Sequence, residues 1–76
     1  MPKIPSISSK KFCKFLLSIG CVVARIEGDH YIFTKRDLER PIVVPISKQL
    51  PVFIILNNLK TLKISREEFL RLLKKV

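Results

Sequence analysis

The stretch Arg25-Ile26-Glu27-Gly28-Asp29-His30-Tyr31-Ile32-Phe33 joins two apolar, strand-like runs through a two-residue Gly-Asp turn. A two-residue loop with glycine first suits a type II′ hairpin, because glycine takes positive φ without steric cost. The turn sets a register. Glu27 pairs with His30, Ile26 with Tyr31, Arg25 with Ile32, Ala24 with Phe33 and Val23 with Thr34. Side chains alternate across a strand, so one face reads Val22, Ala24, Ile26, Tyr31 and Phe33 and is the expected core face. The other reads Val23, Arg25, Glu27, His30, Ile32 and Thr34, mixed and mostly polar. His30, the one histidine of the chain, is expected on the solvent side beside Glu27 and one pair from Arg25. A one-residue slip would bury it and expose Tyr31 and Phe33, which the hydrophobic pattern disfavours.

Outward from the hairpin, helical patterns flank the strands. Ser8 or Ser9 can cap a first helix whose apolar residues Phe12, Phe15, Leu16 and Ile19 recur at helical spacing, with Gly20 as its stop. Lys10, Lys11 and Lys14 fall on its other side. After a polar loop from Lys35 to Arg40, Ile42-Val43-Val44 between Pro41 and Pro45 reads as a short third strand, its flanking prolines fitting strand ends or an edge. Pro51 can open a second helix with Val52, Ile55, Leu56 and Leu59 as apolar positions. Ser65 with Glu68 three residues on is a capping box, so a last helix runs from about Arg66, with Phe69, Leu72 and Leu73 inward. The order is α-β-β-β-α-α, an α+β arrangement expected to form a single domain over residues 1–76.

At 76 residues the chain is near the lower limit for folding on one core, and 47% hydrophobic residues supply that core. Fifteen Lys and Arg against six Asp and Glu give a net charge of +9, a field suited to a polyanion, an acidic protein or an anionic surface. The distribution is uneven. Residues 1–26 hold Lys3, Lys10, Lys11, Lys14 and Arg25 without an acid, and residues 40–66 hold Arg40, Lys48, Lys60, Lys63 and Arg66, again without one.

Cys13 and Cys21 form no Cys-x-x-Cys, and one histidine does not complete a zinc site with them, so they read as reduced, buried thiols with no metal. The stretch from Met1 to Ser6 carries no apolar signal-peptide core. The longest apolar run, Val52 to Leu56, is too short to cross a membrane. The expectation is a soluble, cytoplasmic protein without a small-molecule cofactor.

The element order, with Gly28-Asp29-His30 in the first hairpin and Val44-Pro45 closing the third strand, resembles the HicA (YcfA-like) family of toxin–antitoxin systems. The resemblance runs from Lys11-Phe12 to Leu17 and Gly20, through Arg25 to Phe33, Val43-Val44-Pro45-Ile46, Leu50-Pro51 and Leu56, to Ile64-Ser65-Arg66-Glu67-Glu68-Phe69. It implies a double-stranded-RNA-binding-domain-like fold. It also implies a ribosome-independent mRNA endoribonuclease, toxic until a HicB-like antitoxin covers it, with His30 in the family's catalytic position. The chain departs from the family at two places. Asp29 stands where a serine is common, and Val52-Phe53 stands where Gly-Thr usually follows Leu-Pro.

The chemistry such a site can do follows from the residue types. RNA cleavage needs a base for the 2′-hydroxyl proton and an acid for the leaving 5′-oxygen. It needs no metal where cations neutralise the transition state. His30 is the candidate base, Glu27 and Asp29 its candidate orienting carboxylates, and Arg25 or Lys35 the candidate phosphate contact. Lys10, Lys11, Lys14, Lys35 and Lys48 are candidate contacts to RNA phosphates, although a solvated helix face explains such lysines equally well. Two other readings stay open: a non-catalytic RNA-binding module of the same fold, in which His30 is only a contact, and an adaptor whose basic surface docks an acidic protein.

Overall fold

The computed structural model describes residues 3–76; Met1 and Pro2, the start of the stretch read for a signal peptide, lie outside them. Helix α1 spans Ser9–Ser18, followed by β1 (Val22–Glu27), β2 (His30–Thr34), β3 (Ile42–Pro45), α2 (Val52–Leu62) and α3 (Arg66–Leu73). The strands form one antiparallel sheet in the order β1-β2-β3. This is the α-β-β-β-α-α order read from the sequence, and it is consistent with the α+β, double-stranded-RNA-binding-domain-like fold that the resemblance implies.

Local chemistry sets most boundaries. The Ser8 hydroxyl accepts from the Lys11 amide at 3.1 Å and the Ser65 hydroxyl from the Glu68 amide at 3.1 Å, each quieting a free donor at a helix start. Gly28 has φ +56 while Asp29 does not share a positive φ, as a type II′ turn requires. Pro51 stands one residue before α2, as its N-cap rather than in its first turn. Lys63 ends α2 in the left-handed region, φ 59 and ψ 38, a place where glycine is usual.

The core lies between β2–β3 and the helices. Phe12, Phe15 and Leu16 of α1, Phe33 of β2, Ile42 and Val44 of β3, Ile55 and Leu59 of α2 and Phe69 of α3 are its buried members. Phe69 locks α3 against α1, its ring centroid 4.8 Å from Phe15 at 90° and 6.1 Å from Phe12. Edge-to-face pairs of this kind add about 0.5–1.5 kcal/mol beyond burial. Main-chain bonds from Ser9 N–H to Ser47 O (3.0 Å) and Leu50 N–H to Ile7 O (2.7 Å) fasten the start of α1 to the loop after β3.

Two expectations about the hairpin need correction. Glu27, Ile26 and Arg25 pair with His30, Tyr31 and Ile32 as the turn dictates, but a bulge at Ala24 shifts the rest, so that Val23 faces Phe33 and Val22 faces Thr34. The second correction concerns burial. Every residue of β1 is exposed, Ile26 at 59% and Val22 at 56%, whereas Ile32, expected on the solvent face, is only 6% exposed. The helices pack beneath β3 and β2 and leave the edge strand β1 uncovered, so its expected inward face has nothing to bury against. Ile32 lies outside the main core, in mid-sheet, shielded by its neighbours Arg25 and Val43 across both ladders.

Candidate functional site at the first hairpin

His30 opens the central strand. It is exposed, with Glu27 of β1 on one side and Pro45 of β3 on the other. The turn before it is pinned at a second point, because the Ile46 amide donates to the Asp29 carbonyl at 2.7 Å. A backbone tied on both edges of β2 gives the imidazole a fixed root, which a catalytic or contact residue needs. None of the side-chain hydrogen bonds among the described residues involves the imidazole itself, and the residue is exposed.

The surrounding charges are arranged differently from the simplest sequence reading. Glu27 does sit across the ladder from His30, but its carboxylate is engaged by the Arg25 guanidinium in a close ion pair two residues away on the same strand. Arg25, Glu27 and His30 therefore form one outward-facing group around Ile32. Asp29 neighbours it in the turn and is exposed.

The structure separates the candidate phosphate contacts. Lys10 in the first turn of α1 and Lys48 in the loop after β3 are exposed at the His30 end of the sheet, because the Ser9–Ser47 bonds bring those segments together there. Lys10 and Lys11 occupy a helix start, where the macrodipole favours acids, and α1 has no acid in that turn. Lys11 is otherwise occupied: its ammonium donates to the Val76 main-chain oxygen at 2.9 Å. Lys14 is exposed one turn further along α1. Lys35 follows the far end of β2, five residues and roughly 16 Å of strand from His30, too distant to hold the same phosphate. Its stem passes Gly20, where an added Cβ would lie 3.5 Å from Cε. Tyr31 and Phe33 face the core, half-buried and fully buried, and are not free to stack on bases.

Sequence reasoning assigned the apolar part of the histidine's face to Val23 and Ile32, but Ile32 is buried and the bulge sets Val23 opposite Phe33, so other residues supply it. Val43 and Ile46 are exposed near His30, and Val52 and Phe53, at 63% for the latter, are exposed at the start of α2. The sequence signal was available in Val52-Phe53 directly after Pro51, but only the packing shows that these side chains stay outside. Both cysteines are free. Burial raises the Cys13 thiol pKa, and burial raises that of Cys21 as well, with the Lys35 charge partly opposing it. Among the described residues no three His, Cys, Asp or Glu side chains converge as a metal site, and no helix is long and apolar enough to cross a membrane.

Fold and site together define a small, strongly basic α+β protein of double-stranded-RNA-binding-domain-like architecture, with an exposed histidine at the head of its central strand. A family model described as the HicA toxin of bacterial toxin–antitoxin systems matches residues 9–64, most of the chain from α1 through α2. The chain belongs to the HicA toxin family, and membership implies an antitoxin partner. A search of curated proteins finds no match.

Proposed function

We propose that the protein is a metal-independent mRNA endoribonuclease in which His30 is the general base, restrained by a HicB-like antitoxin. The observation that carries this reading is the placement of the one histidine at the exposed head of the central strand, beside an Arg–Glu pair and at the end of the sheet that gathers Lys10 and Lys48. His30 takes the proton of a 2′-hydroxyl, which attacks the adjacent phosphorus. The bond to the 5′-oxygen breaks, and that oxygen leaves with a proton. Arg25 lies two ladder pairs along on the same face of the sheet, placed to neutralise the charge that builds on the phosphate oxygens. Because Arg25 already holds Glu27, the carboxylate acts on the site mainly through the arginine, fixing its guanidinium on the outer face. The single histidine leaves one proton transfer to another group or to water, consistent with a slow enzyme. A toxin that needs few cuts tolerates that.

His30→Ala tests the reading. The variant is expected to fold with an unchanged circular dichroism spectrum and to lose RNA cleavage at least about a hundredfold, the lower end of general acid–base contributions. Cleavage by the wild type should survive EDTA. Full activity in the variant would reduce His30 to a contact residue and favour a binding module of the same fold.

A further inference from the structure

The end of the sheet opposite His30 carries a second concentration of positive charge that the proposed chemistry does not use. A surface cavity of about 720 Å³ opens between the loop after β2 and the end of α2, lined by the cations Lys35, Arg40, Lys60 and Lys63 and by two carboxylates, Asp37 and Glu39, so positive charge is in excess there. The two ion pairs among the described residues are Arg25–Glu27 and Arg71–Glu68, so none of these four cations is paired. One lysine in the last turn of α2 would satisfy the negative end of its dipole, and Lys60 already sits there. Four are more than the helix requires.

Lys63 adds an independent observation. It is the one non-glycine residue with positive φ among the described residues, at the C-cap of α2. Glycine adopts that conformation without the steric cost an L side chain incurs. A strained backbone that retains a long cationic side chain at the lip of a cavity is the pattern of a functional position.

The lining also indicates what binds. Protein interfaces are anchored by exposed aromatic and large apolar side chains. The exposed large apolar residues (Leu17, Val22, Val23, Ile26, Val43, Ile46, Val52 and Phe53) all lie outside this cavity. Beyond the half-buried Leu38 and Leu62 the lining is charged and polar, four cations against two carboxylates, and that excess of flexible positive charge suits phosphates held without base-specific geometry. Between the cavity and His30 runs roughly 16 Å of β2, a span of several nucleotides, with Thr34 exposed along it.

We propose that the Lys35–Arg40–Lys60–Lys63 cavity is a second, non-catalytic anchor for the phosphate backbone of a single RNA strand whose scissile bond lies at His30. The proposal rests on the ribonuclease reading above for the position of the cut, but not for the anchoring itself. Two contacts so far apart make the protein prefer long RNA over short fragments and hold the strand in register along β2.

The test uses 2′-O-methyl oligoribonucleotides, which lack the attacking hydroxyl and so bind without being cut. One has about twelve nucleotides and one about four, spanning the usual range of single-strand sites. In amide NMR spectra the long oligomer should shift the signals of Arg40 and of Lys60 to Lys63 as well as those around His30. The combined Arg40→Gln, Lys60→Gln, Lys63→Gly variant should bind the long oligomer at least about tenfold more weakly. Its slope of log K against log salt should drop by about 2, at roughly 0.7 per lost contact. Binding of the short oligomer should be unchanged. Lys63→Gly alone should unfold at the same or a higher temperature while still weakening the long complex. A merely structural lysine would not give that combination. Unchanged long-oligomer affinity and slope in the triple variant would overturn the anchor, as would cavity signals that move with poly-glutamate but not with RNA. An intact anchor with an active His30→Ala enzyme would instead overturn only the catalytic reading.

Discussion

The Glu27 carboxylate is paired to the Arg25 guanidinium on the outer face of β1, even though Glu27 faces His30 directly across the ladder. Its electrostatic effect on the histidine is therefore largely cancelled by a cation at the same site. An exposed pair of this kind contributes at most about 1 kcal/mol to folding, so Arg25→Gln and Glu27→Gln should both leave the unfolding temperature nearly unchanged. Their activities should differ. Arg25→Gln removes the cation that shares the outer face of the hairpin with the histidine and should lower kcat/KM for RNA by about tenfold, the scale of one charge-assisted contact. Glu27→Gln should stay within about threefold of wild type by the same scale. Equal losses in a fluorescence-quench cleavage assay would show that Glu27 acts on His30 itself.

The lysines of α1 are not equivalent. Lys10, Lys14 and Lys48 are exposed, whereas the Lys11 ammonium is bonded to the Val76 oxygen. Replacing the three exposed lysines by Gln should flatten the salt dependence of RNA binding by about 2 units of slope and leave the fold intact. Lys11→Gln should do the reverse. The slope should hold while stability falls by about 0.5–1 kcal/mol, the net worth of a typical hydrogen bond. Titrations at several salt concentrations, read beside thermal unfolding, separate the two. A flattened slope for Lys11→Gln alone would place it on the RNA.

Inhibition by the antitoxin is expected to work by covering the His30 face. That face offers Val43 as apolar area, with Ile46 exposed beside the Asp29 turn, and a charged rim that includes Arg25, the usual division between affinity and steering. A standard interface of about 800 Å² per partner is a large part of a molecule whose whole surface is 5318 Å². An acidic partner seated there needs no allosteric change. Arg25→Glu should weaken the complex in calorimetry, while Lys75→Glu, beyond the end of α3, should not. A tight complex that leaves RNA cleavage untouched would refute occlusion.

The two thiols give a pH dependence with a definite sign. Burial raises both above the ordinary thiol range, so on alkalinisation the unfolded chain loses these protons before the folded one does. The folded state then binds more protons, and stability falls as pH rises from the unfolded thiol pKa through the folded one. Below that window both forms are neutral and the thiols contribute nothing to the pH dependence. Urea midpoints should thus decline on the alkaline side, and Cys13→Ala with Cys21→Ala together should flatten that decline. An identical decline in the double variant would assign it to other groups.

What the sequence determined by itself was everything governed by near neighbours. Ser8 and Ser65 start helices because each hydroxyl meets an amide three residues on, and Gly28 turns the chain because it alone tolerates the required φ. The pairing next to the turn, Glu27 with His30 and Arg25 with Ile32, then follows from geometry that propagates residue by residue. That was enough to put His30 on the outer face.

Tertiary structure decided which surfaces are covered. The alternation in β1 promised a buried Val22 and Ile26, but alternation only says that two residues share a face, and the helices pack beneath β2 and β3 instead. The Ala24 bulge is likewise invisible locally, since it answers to the partner strand. Long-range packing also sorted the lysines. It tied Lys11 to Val76, 65 positions away, and gathered Lys35 with Arg40, Lys60 and Lys63 around one cavity. Charge counts carry no such information, because a cation's neighbours in space are fixed by the core that folds beneath it and not by its neighbours in the chain.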